Sequence, residues 1–427
     1  MNNQLTVKDV AKKLNISIDT VRRWAKLGLI RCVRDKYNNR LFDCEDVQLA
    51  LLQHSTPASS GGSNYFVLQA QPTLAKTLEL FAGCGGTALG LENAGFQNVM
   101  LSEINGDACA TLRHNRPHWV VREGDVRKIS FEEYAGQIHL LQGGVPCQAF
   151  SYAGFSRGFE DTRGTLFFEF ARAISECKPD AIMMENVRGL LTHDGGKTIC
   201  TMAKTLMELG YVIAIKLLRA QFLDVAQKRE RVVVIGFRKD IRCPILFPRQ
   251  NHKILTLRDA ISNCPESECA KYPASKARIM NLIPPGGYWK DLPIELQKEY
   301  LKGSFNLPGG KTGMARRLSW DEPSLTLTCS PAQKQTERCH PSETRPLSIR
   351  EYARIQSFPD EWEFKGSVGS KYKQIGNAVP VNFAYHVGRA ILASLGFATE
   401  KDVTEVTPIV KIPFDSEQIL CEALKLT

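Results

Sequence analysis

Short apolar runs, each followed by a glycine-rich or polar turn, recur between residues 73 and 245. Runs of this kind are typical of buried strands, and helical segments lie between them at Ala88–Ala94 and Phe167–Cys177. Strands that alternate with helices predict a parallel sheet, so we expect an α/β, Rossmann-like catalytic domain over residues 73–245. The predicted strands are Thr77–Phe81, Val99–Ser102, Ile138–Leu141, Ala181–Met184 and Val232–Gly236.

The alternation of strands and helices stops near residue 246. Proline, glycine and polar residues dominate the next interval, whose clearest strand-like run is Ser324–Cys329. This composition predicts a smaller, loop-rich second domain over residues 246–372. Residues 373–395 then return the chain to the catalytic domain. Residues 396–427 form a C-terminal extension, in which we expect a short amphipathic helix at Ser416–Leu426.

A separate helical module precedes the catalytic domain, over residues 1–54. Thr6 and Asp9 have the spacing of a capping box at the start of the first predicted helix, and a second short helix follows. Two short helices joined by a tight turn indicate a helix-turn-helix, and the turn signal at Lys36–Asn39 adds a hairpin, or wing. Residues 55–72 are rich in Ser, Gly, Pro and Asn and predict a flexible linker.

The composition narrows the class of protein. With 43% hydrophobic and 23% charged residues, the 427-residue chain is ordinary for a soluble globular protein. No apolar run approaches the ~20 residues of a membrane span and no signal-peptide pattern is present, so we expect a cytoplasmic protein without membrane contact. The 13 cysteines form no Cys-x-x-Cys pair, which favours reduced thiols and no metal site. A net charge of +10 suits a polyanionic partner.

Three predicted strand ends carry the features of a nucleoside pocket. The first is followed by the glycine-rich turn Ala82–Thr87, which lets backbone approach a ligand and directs helix N–H groups towards it. The second ends at Glu103, and an acid about 20 residues after such a turn commonly binds ribose hydroxyls. The third ends at Asp125. Together these features predict a nucleoside cofactor.

A second set of residues provides chemistry at the same edge of the sheet. The segment Gly143–Ser151 presents Cys147 after a predicted strand, Glu185 ends the next strand, and Arg229 and Arg231 precede another. This set fits addition of a thiolate to carbon 6 of cytosine while an acid protonates or hydrogen-bonds ring nitrogen 3. Carbon 5 then attacks an electrophilic methyl group, and loss of the carbon-5 proton expels the thiol.

The motifs stand in the order of the DNA (cytosine-5) methyltransferases, which the chain resembles over residues 77–392. The resemblance implies that Cys147 is the nucleophile and Glu185 the group at ring nitrogen 3, while Arg229 and Arg231 orient the base and the surroundings of the nucleophile. The chain departs from the family pattern at Val145, where a second proline is usual. The matching motifs are Phe81–Gly86, Gly144–Gln148, Glu185–Val187, Gln227–Arg231 and Gln374–Pro380.

The resemblance also implies S-adenosylmethionine as the cofactor and no metal. Glu103 would bind its ribose, Asp125 its adenine amino group and Asn377 its methionine end. The other residues implied at the cofactor pocket are Phe81, Ala82, Gly83, Gly85, Gly86, Ile104, Val126, Pro146 and Leu166.

Double-stranded DNA is the partner that the resemblance implies, with the target cytosine flipped out of the helix. In the family, the interval that corresponds to residues 246–372 is the target recognition region. Cationic side chains there could contact DNA, and the candidates are Arg316, Arg317, Lys334 and Arg338.

The N-terminal module resembles the winged helix-turn-helix of the MerR and excisionase type. Arg22, Arg23 and Lys26 lie on the solvent side of its predicted recognition helix and are further candidates for DNA contact. We hypothesise that this module represses the protein's own promoter. The whole architecture resembles bacterial restriction–modification methylases, which implies a functional pairing with a restriction endonuclease and no physical complex.

Two other functions stay open from the sequence. One is an RNA cytosine-5 methyltransferase, although the Cys-Phe-Thr signature of the tRNA-methylating relative is absent. The separate RNA family, moreover, places a catalytic cysteine after a threonine where this chain has Glu185 and Asn186. The other is a transcriptional regulator built on a methylase scaffold, against which the intact Cys147, Glu185 and Arg229 argue.

Overall fold

The structure is a computed structural model. It describes residues 4–14, 18, 21–22, 25, 32–35, 38–43, 47, 65–146, 166–250, 253–309 and 311–409. Cys147, residues 55–64 of the predicted linker and the helix predicted at Ser416–Leu426 lie outside the described residues.

The N-terminal module contains a small sheet and a helix, and one of its strands was not predicted. Its elements are β1 (Gln4–Thr6), α1 (Val7–Leu14), β2 (Cys32–Arg34) and β3 (Arg40–Asp43). β3 pairs antiparallel with β1 and with β2, so the predicted hairpin is present and β1 extends it. The predicted cap is present as well, because the Asp9 N–H donates to Oγ1 of Thr6 at 3.3 Å.

A seven-stranded sheet forms the centre of the catalytic domain, in the order β6-β5-β4-β7-β8-β11-β9. Strands β4 to β8 are parallel to their neighbours, whereas β11 runs antiparallel to both β8 and β9. The strands of this sheet are β4 (Lys76–Leu80), β5 (Gln97–Glu103), β6 (Val121–Glu123), β7 (Leu140–Gly143), β8 (Ala181–Val187), β9 (Tyr211–Arg219) and β11 (Glu230–Arg238). Two short strand pairs lie outside the sheet. β10 (Gln227–Lys228) pairs with β13 (Ser324–Leu325), and β12 (Leu246–Pro248) pairs with β14 (Val403–Glu405).

Helices cover both faces of the sheet, which buries the apolar side chains of each strand. α4 and α5 pack on one face, around Phe170 and Met202, and α2 and α11 pack on the other, around Leu91 and Phe383. The helices are α2 (Gly86–Ala94), α3 (Gly106–Asn115), α4 (Leu166–Cys177), α5 (Lys197–Glu208), α6 (Leu257–Ile261), α7 (Ala274–Met280), α8 (Ile294–Leu301), α9 (Ile349–Ile355), α10 (Val368–Asn377) and α11 (Val381–Ser394). In the part of the chain that the structure describes, no helix is long and apolar enough to cross a membrane.

The strand order places a switch point between β4 and β7. From β4 the chain builds the sheet outwards through β5 and β6, and from β7 it builds in the opposite direction. Ligands of such open sheets bind at the carboxyl ends of the strands beside this switch. The turn after β4 and the segment that leads to Cys147 after β7 meet there.

Segments at three of the predicted domain boundaries contact the catalytic domain. Residues 65–72, predicted as linker, dock on the catalytic domain: the Leu68 N–H donates to Oδ1 of Asn382 at 2.9 Å, and the Tyr65 hydroxyl donates to the Phe358 carbonyl. At the other end, β14 pairs with β12, so residues 396–409 complete the catalytic domain and β12 belongs to it as well.

The loop-rich half has a core of its own, whose buried residues lie between Ile279 and Cys339. Trp289, Leu301 and Met314 belong to it. Residues 347–364, assigned by sequence to the same half, pack instead in a cluster that includes Leu89 and Leu112 of the catalytic domain. The segment around α9 therefore joins the two halves.

Candidate active site

The glycine-rich turn after β4 is open where a ligand would approach. Gly83 has φ +55°, a left-handed conformation that glycine adopts without cost, and a Cβ built on it would meet no atom within 4 Å. Phe81, one residue beyond β4, holds φ +60° although it is not a glycine. A strained backbone of this kind is common at ligand sites. Ala82, in contrast, is buried.

Two of the other predicted cofactor glycines serve packing. A Cβ on Gly86 would lie 2.2 Å from the carbonyl oxygen of Val379, and one on Gly85 would lie 2.6 Å from Cδ2 of Leu112. The absence of side chains at these positions therefore lets α2 approach the segment before α11 and the α3 helix. Gly83 is the glycine of this turn whose missing side chain leaves open space.

Glu103 lies at the tip of β5 and folds back onto the turn. Its Oε2 accepts a hydrogen bond from the Gly83 N–H at 2.7 Å, and its Oε1 accepts from the N–H groups of Ile104 and Asn105 at 3.0 and 2.8 Å. A carboxylate oxygen has lone pairs to spare beyond these bonds. Ile104 beside it is 71% exposed, an apolar surface suited to a base.

Asp125 follows β6 and is held by the next turn of the chain. Hydrogen bonds from the side chain and backbone of Arg127 lower the pKa of Asp125 to about 2, so the carboxylate is ionised at neutral pH. Val126, predicted at the same pocket, is 4% exposed and packs in the core, so its side chain supports the turn from beneath. The open turn, the exposed Ile104 and the two ionisable strand-tip acids fit a nucleoside with free hydroxyl and amino groups.

The remaining predicted cofactor residues surround this edge at different depths. Pro146 and Asn377 are exposed, and Leu166 is half-buried at the start of α4. Oδ1 of Asn377 accepts a hydrogen bond from the Cys329 thiol at 2.9 Å, so the loop-rich half reaches the predicted methionine end of the cofactor.

Glu185 lies near the carboxyl end of β8 and is paired with Arg231. Nε of Arg231 is 2.6 Å from Oε1 of Glu185, although its N–H does not point at that oxygen as a hydrogen bond requires. Glu185 is 9% exposed. The pair sits on neighbouring antiparallel strands, where β8 and β11 are in register at Val187 and Arg231.

The strand that carries Glu185 also holds the segment before Cys147. Nδ2 of Asn186 donates to the Val145 carbonyl at 2.8 Å, and a Cβ on Gly144 would lie 3.7 Å from Oε2 of Glu185. The carboxyl group therefore lies against the backbone that runs into the predicted nucleophile. Sequence reasoning assigned no role to Asn186 or Gly144, and the side-chain amide next to Glu185 was the signal that could have found the contact.

Arg229, which the resemblance implies at the base, is almost completely buried. It is 1% exposed and its guanidinium donates to the carbonyls of Gly376 and Ala378 at 3.3 and 2.9 Å. Burial, reinforced by the nearby Arg231 charge, lowers the pKa of Arg229 to about 9. Arg229 thus braces the carboxyl end of α10, which carries Asn377, because the last carbonyls of a helix have no partner within it and need other donors.

Comparison with known proteins identifies the function of the site at this edge of the sheet. A family model described as C-5 cytosine-specific DNA methylase matches residues 75–393. The chain belongs to this family of DNA methyltransferases. The methyltransferase therefore transfers a methyl group from S-adenosylmethionine to carbon 5 of cytosine in DNA. The family match decides between the functions left open by the sequence, in favour of a DNA-modifying enzyme.

Close relatives cover almost the whole methyltransferase. It is 52% identical to the Type II methyltransferase M.Eco47II of Escherichia coli, over 92% of this chain and 96% of that protein. It is 51% identical to the Type II methyltransferase M.PspPI of a Psychrobacter strain, over 95% of this chain and 99% of that protein. A solved Escherichia coli prophage DNA modification methyltransferase has the same fold, with a TM-score of 0.56, 23% identity and coverage of 75% and 99%.

Two of the arginines predicted to contact DNA in the recognition region are buried. Arg317 is 4% exposed and donates to the carbonyls of Met280, Ile283 and His340 at 2.7, 2.7 and 3.0 Å. Arg338 is 6% exposed and donates to the Thr326 carbonyl at 2.7 Å. Both side chains satisfy backbone groups in a region with little secondary structure.

The other two cations of this region remain partly accessible. Arg316 is half-buried, stacks over Tyr288 and donates to the Gly286 carbonyl at 3.0 Å. Lys334 is exposed and lies over the ring of Tyr300. These two stay predictions as DNA contacts.

In the N-terminal module, a MerR family regulatory protein model matches residues 6–42. Arg22 is exposed in a helical segment, as predicted for the recognition helix. Arg23 and Lys26 lie outside the described residues.

Proposed function

We propose that the methyltransferase uses Cys147 as its nucleophile and Glu185 as the acid at ring nitrogen 3 of a flipped-out cytosine. The observation that carries this proposal is the position of Glu185. It lies against the segment Gly144–Pro146, which runs directly into Cys147, and Asn186 ties that segment to β8. A base between a thiol and a carboxyl group so arranged can be attacked at carbon 6 while its ring nitrogen is protonated.

Each side chain at this edge has a defined task. The Cys147 thiolate forms a bond to carbon 6 while Glu185, held in place by the charge of Arg231, protonates or hydrogen-bonds ring nitrogen 3. Carbon 5 becomes nucleophilic and takes the methyl group, and the rest of the cofactor would leave as a neutral thioether. A base then takes the carbon-5 proton, and the electron pair of that bond re-forms the double bond between carbons 5 and 6. The sulfur leaves as the Cys147 thiolate, and any proton on ring nitrogen 3 returns to Glu185.

The turn after β4 would hold the cofactor, which supplies an electrophilic methyl group. Gly83 allows close approach of the backbone, Glu103 offers a carboxylate for ribose hydroxyls and Asp125 one for the adenine amino group. Asn377 would contact the methionine end, and Arg229 holds it in place by donating to the carbonyls of Asn377 and Ala378. The proposed cofactor site and the proposed base site lie on the two sides of the switch point, because the cofactor turn follows β4 and the base-reactive groups follow β7 and β8.

In the cell, the methyltransferase would protect host DNA from a cognate restriction endonuclease. The support is that its relatives of 51–52% identity carry the name Type II methyltransferase. We place the protein in the cytoplasm, associated with the nucleoid through its DNA substrate. A challenge with extracts of the source organism would test the pairing: DNA methylated by this enzyme should resist cleavage, and equal cleavage of methylated and unmethylated DNA would contradict it.

The N-terminal module would bind the protein's own promoter. The MerR-type match over residues 6–42 and the exposed Arg22 support a DNA-binding role. Deletion of residues 1–54 should then raise output from that promoter in a reporter strain while methylation continues. Unchanged output would exclude repression by this module.

Bisulfite sequencing of a methylation-free host tests the catalytic proposal. Cells that express the intact chain should protect the cytosines of one short motif, and cells that express Cys147→Ser should protect none. A Cys177→Ser variant is the matched control, because Cys177 is a buried core thiol away from this edge and should not be needed for protection. Methylation by the Cys147→Ser variant would overturn the proposed nucleophile.

A further inference from the structure

A cavity of about 520 Å³ opens beside the strand that carries Glu185. Among the residues that line it, five are cationic and one is acidic, namely Arg188, Arg219, Lys228, Arg229, Arg231 and Glu230. Three of these cations are engaged elsewhere. Lys228 pairs with Glu322 at 2.6 Å, Arg231 pairs with Glu185 at 2.6 Å, and Arg229 is buried against backbone carbonyls. Arg188 and Arg219 are left to give the cavity its charge.

Arg188 and Arg219 share a single carboxylate. Nη1 of Arg188 donates to Oε2 of Glu230 at 2.8 Å, and Nε of Arg219 donates to Oε1 of the same carboxylate at 3.1 Å. Two positive charges therefore face one negative charge, and the group keeps a net positive charge. The side chains remain accessible, with 60% of Arg188 and 35% of Arg219 exposed.

The sheet fixes this arrangement. Arg219 and Glu230 are register partners at the ends of β9 and β11, and Arg188 directly follows β8. Three adjacent strand ends thus bring both guanidinium groups to one carboxylate, which holds them apart and in place. Groups that a rigid sheet positions in this way lose little freedom when they bind a ligand.

We propose that Arg188 and Arg219, bridged by Glu230, clamp a backbone phosphate of the DNA next to the flipped cytosine. The planar guanidinium matches the oxygens of a phosphodiester, and arginine is the preferred residue for such contacts. The cavity adjoins Arg231 and therefore the base site, so the phosphate that reaches it belongs to the target nucleotide or its neighbour.

The other anion available to the enzyme is the carboxylate of the cofactor. The cofactor turn follows β4, and β7 and β8 lie between it and β11 and β9, whose ends carry Glu230 and Arg219. Since strands lie about 4.8 Å apart, β11 and β9 are some two to three strand spacings, or about 10–14 Å, beyond β7. This spacing favours DNA as the source of the anion. Arg229, in the lining of the same cavity, donates to the carbonyl of Asn377 at the proposed methionine end, so the cofactor carboxylate is the alternative that the KM for S-adenosylmethionine tests.

The salt dependence of DNA binding tests the clamp. Arg188→Gln and Arg219→Gln should each weaken binding of a short fluorescein-labelled duplex several-fold, equally for duplexes with and without the methylated motif. Each variant should also flatten the plot of log affinity against log salt by about 0.9, measured by anisotropy across about 50–200 mM NaCl. Arg188→Lys and Arg219→Lys should restore most of the slope, because the charge remains.

Arg238→Gln is the matched control. Arg238 lies at the opposite end of β11, is 33% exposed and is also bound by carboxylates, those of Asp180 and Asp240. Its loss removes the same charge far from the cavity and should leave the salt slope unchanged. An unchanged slope in the Arg188 and Arg219 variants, or an equal change in Arg238→Gln, would overturn the clamp.

The clamp rests on the proposed catalytic roles only because they fix where the flipped base lies. The binding experiment can therefore fail or succeed independently of those roles. A raised KM for S-adenosylmethionine with unchanged DNA affinity would assign the cavity to the cofactor and overturn the proposal. If the Cys147→Ser variant methylated DNA, the proposed nucleophile would fail while the binding slopes could still be read. Thermal unfolding of each variant shows whether the fold is intact before binding is compared.

Discussion

Two arginines of the recognition half and two arginines at the edge of the sheet differ in what their guanidinium groups contact. In the recognition half, Arg317 and Arg338 point inwards and donate to carbonyls. At the edge of the sheet, Arg188 and Arg219 point outwards and face a cavity. In a sheet the strands satisfy one another's backbone groups, whereas a loop-rich region must find donors among its side chains. Arg317 and Arg338 thus brace irregular backbone, as Arg229 does beside α10, whereas Arg188 and Arg219 lie at strand ends and are free of that task.

Glutamates and glycines show the same division. Glu185 and Gly83 lie at the edge where ligands approach, while Glu79 and Gly86 are enclosed by the fold. Position in the fold, and not residue type, separates site residues from packing residues. Three pairs of substitutions test this separation, each pair within one residue type, and the pH dependence of Glu79→Gln is a fourth test.

Glu185→Gln should have the largest effect. Without its proton donor the reaction should lose about 10²- to 10⁴-fold in kcat, while the fold and DNA affinity persist. The control is Glu79→Gln, on β4 of the same sheet, which should keep most of its activity. Tritium transfer from labelled S-adenosylmethionine to DNA measures both, and equal losses in the two variants would remove the distinction between edge and interior.

Arg317→Met should lower the stability of the recognition half and should have little direct effect on the methyl-transfer step. The loss of a buried guanidinium leaves several carbonyls without donors, at a cost of about 3–5 kcal/mol in the free energy of unfolding. The neighbouring Arg316→Met removes one such bond from a half-buried side chain and should cost far less. Urea denaturation measures both variants; similar values would show that Arg317 is not the brace we describe.

Gly86→Ala should mainly lower the stability of the fold, whereas Gly83→Ala should mainly weaken binding of the cofactor. The new Cβ at residue 86 would meet the Val379 carbonyl, and we expect a loss of about 1–3 kcal/mol in the free energy of unfolding. At residue 83 the methyl group points into open space, so beyond about 1–2 kcal/mol of backbone strain at φ +55° its distinguishing effect should be a higher KM for S-adenosylmethionine. Thermal unfolding and steady-state kinetics separate the two outcomes. A larger KM change in Gly86→Ala would reverse the assignment.

Glu79→Gln should have the smallest effect, and its sign should depend on pH. Burial raises the pKa of Glu79 well above its usual value, and the residue lies opposite its register partner Gln142 on β7. The native state therefore holds a proton that the unfolded chain releases above its own pKa of about 4.3, and stability falls as the pH rises through this window. The neutral glutamine side chain of the variant does not titrate, so the variant keeps its stability over this range. The difference in melting temperature, variant minus wild type, should therefore increase as the pH is raised from 5 to 8. A constant difference would show that Glu79 is ionised in the fold.

Much of the catalytic domain could be predicted because its signals are local. Apolar runs and glycine turns placed the strands on either side of the switch point and the acids at their tips. The observed β9 and α5 were not predicted, and the antiparallel direction of β11 depends on tertiary packing that a single run of residues does not encode.

The errors concern contacts between distant parts of the chain. Arg317 binds the Met280 carbonyl from 37 residues away, and β14 pairs with β12. A pattern of charges in a loop-rich interval cannot show which of them the backbone will enclose. The polar sequence before residue 73 likewise resembles a linker, although Tyr65 and Leu68 dock on the catalytic domain.

The most direct test of the central claim is a covalent trap. In a duplex whose target cytosine carries fluorine at carbon 5, the reaction can add the thiolate and the methyl group but has no carbon-5 proton to lose. The account predicts a complex that survives denaturing electrophoresis, requires S-adenosylmethionine and maps by mass spectrometry to Cys147. It predicts that Cys147→Ser forms none and that Glu185→Gln forms it slowly. A complex that maps to another residue, or one formed by Cys147→Ser, would contradict the account.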